Sequence, residues 1–164
     1  MDNRAAALQA GELGGALLEL SDVLELERAA PQRLGRQISY AQTVPRLKTT
    51  CVHVNRAFAE RQPEVVRAYL RALLTVHRQL KEDVAPLKTG LMKHLAIDGA
   101  RAGEIAGAYL ARNLWDVNGG LTRDDAQYSL DFFVKTGSLS GGMTVDDVTD
   151  LTHLNAVLNE IGRR

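Results

Sequence analysis

Chemistry in this chain would have to come from a short roster of side chains. His53, His77, His94 and His153 stand at spacings that match no metal-ligand pattern, either to one another or to Cys51. They read as ordinary surface or core histidines. Cys51 is the single cysteine, which excludes an internal disulfide and any thiolate cluster, and a free cysteine behaves as a small buried hydrophobe. Asp124, Asp125 and Asp131 cluster near one helix start, where the helix dipole favours negative charge, so a catalytic carboxylate pair is the weaker reading. The chain has no Gly-x-Gly-x-x-Gly run, no phosphate-cradling Gly-Lys-Ser and no Gly-x-Ser-x-Gly. Neither a catalytic residue nor a metal or cofactor site is therefore assigned, and the expectation is that the chain is not an enzyme.

The elements that would position any site are clearer. In the stretch Pro63–Lys81, Val66, Tyr69, Leu70, Leu73, Val76 and Leu80 recur with the period of an amphipathic helix, and Glu64, Arg67, Arg71, Thr75 and Arg78 fall opposite. Pro63 suits its first turn, where a missing N–H costs nothing. Before it, Thr49-Thr50-Cys51-Val52-His53-Val54 is rich in β-branched residues and predicts a strand. Asn55 then caps a short helix through Phe58 and Arg61. Two further short strands are expected, at Ala16–Leu20 and at Gln37–Tyr40.

Elsewhere the punctuation is helical. Asp2 and Asn3 can cap a helix ending at Gly11, Ser21 and Asp22 one running to Ala29, and Asp98 one from Gly99. Asn118-Gly119-Gly120 supplies positive φ in a loop. Thr122-Arg123-Asp124-Asp125 has capping-box spacing for a helix reaching Gly137. Thr144 caps a short turn, and Leu151, Leu154, Leu158 and Ile161 stripe a last helix. About seven helices and three strands argue an α/β class with a helical later half.

With 164 residues, 45% hydrophobic and 24% charged, the chain can bury a core. Its formal net charge is zero, so no global field favours nucleic acid or an anionic membrane. Basic residues dominate from Arg46 to Lys81 and acidic ones from Asp116 to Asp150, an imbalance that solvated helix faces explain. No apolar run reaches the length of a membrane span, and Met1-Asp2-Asn3-Arg4-Ala5 is not a secretory signal. A natural N-terminus would then imply the cytoplasm.

Three stretches carry a resemblance. Arg4-Ala5-Ala6-Ala7-Leu8-Gln9-Ala10-Gly11-Glu12-Leu13 with Ala16-Leu17-Leu18-Glu19 is one. The run from Val52 through Asn55, Phe58 and Pro63 to Ala72 is the second, and Trp115–Gly120 with Phe132-Phe133, Gly137 and Asp146-Asp147 is the third. Together they resemble the later half of solute-binding proteins of ABC transporters, of the nitrate, sulfonate, taurine and thiamine-precursor type. One departure is Gly14, where the family often has Asp.

The resemblance implies the C-terminal portion of a two-lobe, periplasmic-binding-protein-like type II fold, α/β and helix-rich with a few short strands. Residues 1–62 would be part of the second α/β lobe and 63–164 its helical portion. It also implies a substrate-binding component of an importer for a sulfonate, nitrate or pyrimidine. Its partners would be that solute and the transporter's permease subunits, its location periplasmic or extracytoplasmic. Ligands of open α/β sheets bind beyond the strands' carboxyl ends, which points to Glu19, Ser21 and Asp22 as ligand-binding residues. Missing its first lobe, the chain would expose apolar surface and self-associate. A stand-alone helical interaction module is the alternative.

Overall fold

A computed structural model describes residues 3–36 and 38–164. Among these residues there are ten helices and no strand. Contacts divide the chain into two compact units, Met1–Thr43 and Val44–Arg164. The first contains α1 (Asn3–Ala10), α2 (Leu20–Ala29) and α3 (Tyr40–Thr43). α1 packs on α2, and Ala5 and Leu26 are the buried residues there. Gly11 ends α1 with φ +82°, a conformation only glycine adopts without strain, and Glu12 N–H closes back to the Ala7 carbonyl at 2.9 Å.

The second unit runs α4 (Arg56–Arg61), α5 (Pro63–Glu82), α6 (Ala85–Leu95), α7 (Gly99–Ala111), α8 (Arg123–Lys135), α9 (Val145–Val148) and α10 (Thr152–Ile161). Its starts are chemically marked as expected. Asn55 Oδ1 accepts from Phe58 N–H at 3.0 Å, Pro63 opens α5, Asp98 Oδ1 accepts from Arg101 N–H at 2.8 Å, and Thr122 Oγ1 from Asp125 N–H at 3.0 Å. At α9, Thr144 N–H donates to the Asp147 carboxylate at 2.8 Å, the return half of a capping box.

The core of this unit lies between α5 and α10. Leu74, Val157 and Leu158 are fully buried, and Leu70, Leu154 and Ile161 pack around them. Each such leucine contributes about 1.5–3 kcal/mol by leaving water. A second pairing joins α6 to α7, where α7 buries Ala102, Ile105 and Ala106. Gly119 and Gly120, at φ +94° and +69°, turn the loop after α7 tightly past α10: a Cβ on Gly119 would stand 3.0 Å from Leu154 Cδ1. Their positive φ matches the expectation from Asn-Gly-Gly.

Arg78 is the unexpected member of the buried face. Its guanidinium is held by three backbone carbonyls, from Nε to Val117 at 3.1 Å, Nη1 to Ile161 at 3.3 Å and Nη2 to Gly162 at 2.6 Å. The fork of donors joins the loop after α7 and the end of α10 to α5, which a single ammonium could not do. The covered stripe of α5 is therefore Val66, Leu70, Leu74 and Arg78, whereas Tyr69 and Val76, expected on that face, are exposed.

The α/β class is overturned. Ala16–Glu19 is irregular and Leu20 already belongs to α2; Ile38 and Ser39 are irregular and Tyr40 opens α3; Thr49–Val54 is irregular throughout. Gln37, and Asp2 as a cap of α1, lie outside the described residues. The reason is that β-propensity measures fit to a pleated, half-buried surface, and a strand needs a partner's ladder to satisfy its backbone. Val52 and Val54 are 52% and 47% exposed and face no neighbouring strand. What fixes this stretch is its beginning. Lys48 N–H donates to Ser129 Oγ at 2.9 Å, and Arg46 reaches the Asp125 carboxylate at 3.1 Å and lies over the Tyr128 ring. The type II, two-lobe architecture with hinge-like strands is thus not the fold of this chain.

Candidate functional site

Glu19, Ser21 and Asp22 lie together at the start of α2. Glu19 is its N-cap residue, exposed and with extended backbone, and makes no side-chain cap; Ser21 and Asp22 are half-buried in the first turn. Neither Ser21 nor Asp22 caps the helix, which begins one residue before Ser21. Asp22 interacts favourably with the helix dipole there. The strand whose carboxyl end singled these residues out is absent, so the junction is a coil-to-helix turn rather than the rim of a sheet.

Among the concave features of the second unit, two bear on function. The first is an open apolar groove of about 410 Å³ between α5 and α6, lined by Val76, Leu80, Pro86, Leu87, Gly90, Leu91, His94 and Leu95. It continues an exposed apolar stripe on α5, because Val65, Tyr69, Ala72 and Val76 recur at helical spacing and are all exposed. Such a contiguous surface is what a partner surface looks like.

The second is a cleft of about 150 Å³ lined by His77, Lys81, Leu110, Asn113, Leu114 and Trp115. His77 Nδ1 lies 3.0 Å from the Asp116 carbonyl, which can only accept, so Nδ1 carries the proton and Nε2 is the ring's remaining polar atom. Lys81 Nζ donates to Asn113 Oδ1 at 2.9 Å. Asn113 takes the left-handed conformation, φ 49°, which asparagine tolerates, and that turn brings Leu114 and Trp115 back against α5. Trp115 is held edge-on by Tyr109, centroids 5.6 Å apart. The sequence contained half of this signal, since His77 and Lys81 are one turn apart on α5. The other half comes from the loop after α7, which no local pattern places there.

Elsewhere, Asp125 and Cys51 are shifted by their surroundings. Burial pushes Asp125 up, but hydrogen bonds from Arg46 and Thr122 and the charge of Lys48 outweigh it and hold the carboxyl below its usual range. Burial pushes the Cys51 thiol up and outweighs the opposing charge of Lys48, so the thiol form is favoured. Among the described residues no three His, Cys, Asp or Glu side chains are grouped so as to hold a metal ion, and no helix is long and apolar enough to cross a membrane.

Comparison with protein-family models, with curated proteins and with solved structures gave no match to this chain. Any functional reading therefore rests on its own residues.

Proposed function

We propose that this chain is part of the solute-binding component of an ABC-type importer for a small solute such as a sulfonate, nitrate or pyrimidine. The observation that carries this reading is the pair of helices in the second stretch of resemblance, Asn55 capping α4 and then, with only Gln62 between, Pro63 opening the long α5, although the strand expected before them is not formed. The exposed stripe of Val65, Tyr69 and Val76 adds support, because a receptor portion has surface that the remainder of its receptor covers. On this reading the chain encloses no solute by itself. Affinity depends on burying most of a ligand's surface, and losing about 4 kcal/mol of contact turns a micromolar site into a millimolar one. Glu19, Ser21 and Asp22 are the residues offered to the solute.

The test is a titration of the chain with alkyl sulfonates, nitrate and pyrimidines, alone and fused to the earlier half of such a receptor. Weak or absent binding alone, with micromolar binding after fusion, is the expected result. A chain that binds one of these solutes tightly by itself is incompatible with the proposal.

A second reading, a helical interaction module acting without any transport role, is favoured by one observation, the all-helical fold with its open groove between α5 and α6. A monodisperse fusion that gains no solute affinity would decide for it.

A further inference from the structure

The cleft beside α5 shares no residue with those offered to the solute, and its lining has a defined chemistry. Leu110, Leu114 and Trp115 give it an apolar wall, and Lys81 and Asn113 give it polar groups at one place. Lys81 Nζ has three N–H donors, of which Asn113 Oδ1 engages one at 2.9 Å, so two are left for a ligand. His77 is oriented by the Asp116 carbonyl, which fixes its tautomer and leaves Nε2 as an acceptor when the ring is neutral. The volume of about 150 Å³ suits one six-membered ring; cavities of about this size bind benzene. Too small for a nucleotide or a sugar chain, it matches a flat ring with one charged substituent.

We propose that this cleft is a binding site for a one-ring aryl acid, its ring against Trp115 and the leucines and its carboxylate or sulfonate on the Lys81 ammonium. An ion pair at a partly open mouth adds little alone, and an apolar hole of this size adds little alone. Ligand and site match only when both parts are present. The cleft is formed wholly by α5, α7 and the following loop, so it stands or falls independently of whether the chain belongs to an importer.

Trp115 is the only tryptophan, so its fluorescence reports this site directly. The full chain is titrated with benzoate and benzenesulfonate, and with acetate and benzyl alcohol as the charge and the ring taken separately. A saturable change in emission with Kd on the order of 1 mM is expected for the two aryl acids, and at least tenfold weaker binding for acetate and benzyl alcohol. Lys81→Met, at an exposed position, should weaken benzoate tenfold or more with an unchanged circular dichroism spectrum. Arg67→Met, which removes the same charge elsewhere on α5, should leave it unaltered. No saturable change with either aryl acid overturns the proposal. So does equal binding of acetate, which would make the site a nonspecific cation, or equal weakening by both variants, which would make the effect one of net charge.

Discussion

α5 carries two apolar stripes that differ in what covers them. Val66, Leu70 and Leu74 lie one turn apart on one side, where Leu74 meets Val157 and Leu158 of α10 and Arg78 extends the line with its three carbonyl contacts. Val65, Tyr69 and Val76 lie about 100° around the helix and are each close to half exposed. The residue types are alike, so hydrophobicity did not choose between them. What chose was a partner helix with matching small and branched residues and a cation that ties the returning chain ends to the same side. The exposed stripe has no such partner among the described residues.

The largest effect should come from the covered stripe. Leu74→Ala removes a side chain that is 1% exposed and leaves a cavity against α10, which costs about 3–4 kcal/mol. Chemical denaturation of the variant should show a lower midpoint with an unchanged slope. A loss under about 1 kcal/mol would mean that α10 collapses onto α5 or is not seated there.

Next is Arg78. Replacement by alanine removes three hydrogen bonds to a charged donor and leaves the Val117 carbonyl without its partner; water recovers part of this at the end of α10, so a cost of about 2 kcal/mol is expected. Lysine should recover less than half of it, since one ammonium cannot span Val117, Ile161 and Gly162 together. Full rescue by lysine would reduce the contact to simple charge, and the two sides of α5 would then differ by packing alone. Protection of the α10 amides in hydrogen exchange should fall in both variants, more in alanine.

The same comparison explains what could be read from the sequence. Four helix starts in the second unit are legible because capping is local: Asn55, Asp98 and Thr122 each satisfy a donor three residues on, and Pro63 presets its own φ, whereas α2 begins before the Ser21 and Asp22 expected to cap it. The face of α5 was legible only to within one residue in rotation. An apolar period over Val66, Tyr69, Leu70, Leu73, Val76 and Leu80 spans both stripes, and nothing local says that Arg78 belongs inside; that depends on carbonyls 39 to 84 residues away. Strands were misread for the same reason. The β-branched run at Thr49–Val54 prefers an extended, paired state, but pairing is a property of a partner segment. Of the candidate residues, Glu19, Ser21 and Asp22 lie at one helix start, as any three neighbours in sequence would, while the cleft at His77 and Lys81 is half visible in their i, i+4 spacing.

The smallest effect on stability, and the sharpest test of the comparison, belongs to the exposed stripe. Tyr69 is 55% exposed and Val65 51%, so replacing both with serine takes away little that folding has buried. Serine's lower helix propensity costs a few tenths of a kcal/mol per site, and the double variant should unfold within about 0.5 kcal/mol of the parent. Its behaviour at high concentration should change far more. Apolar residues at i and i+4, continuing through Ala72 and Val76 into the groove beside α6, make a contiguous patch that drives association by the area it removes from water. Sedimentation of the parent should therefore give a weight-average mass that rises with concentration, and the double variant should stay near 17.9 kDa over the same range. Destabilisation comparable to Leu74→Ala would show that this stripe is packed in solution and that the two sides of α5 are equivalent. A parent that remains monomeric throughout would leave the stripe exposed but inert, and it would remove the apolar surface as support for a receptor whose remainder covers it.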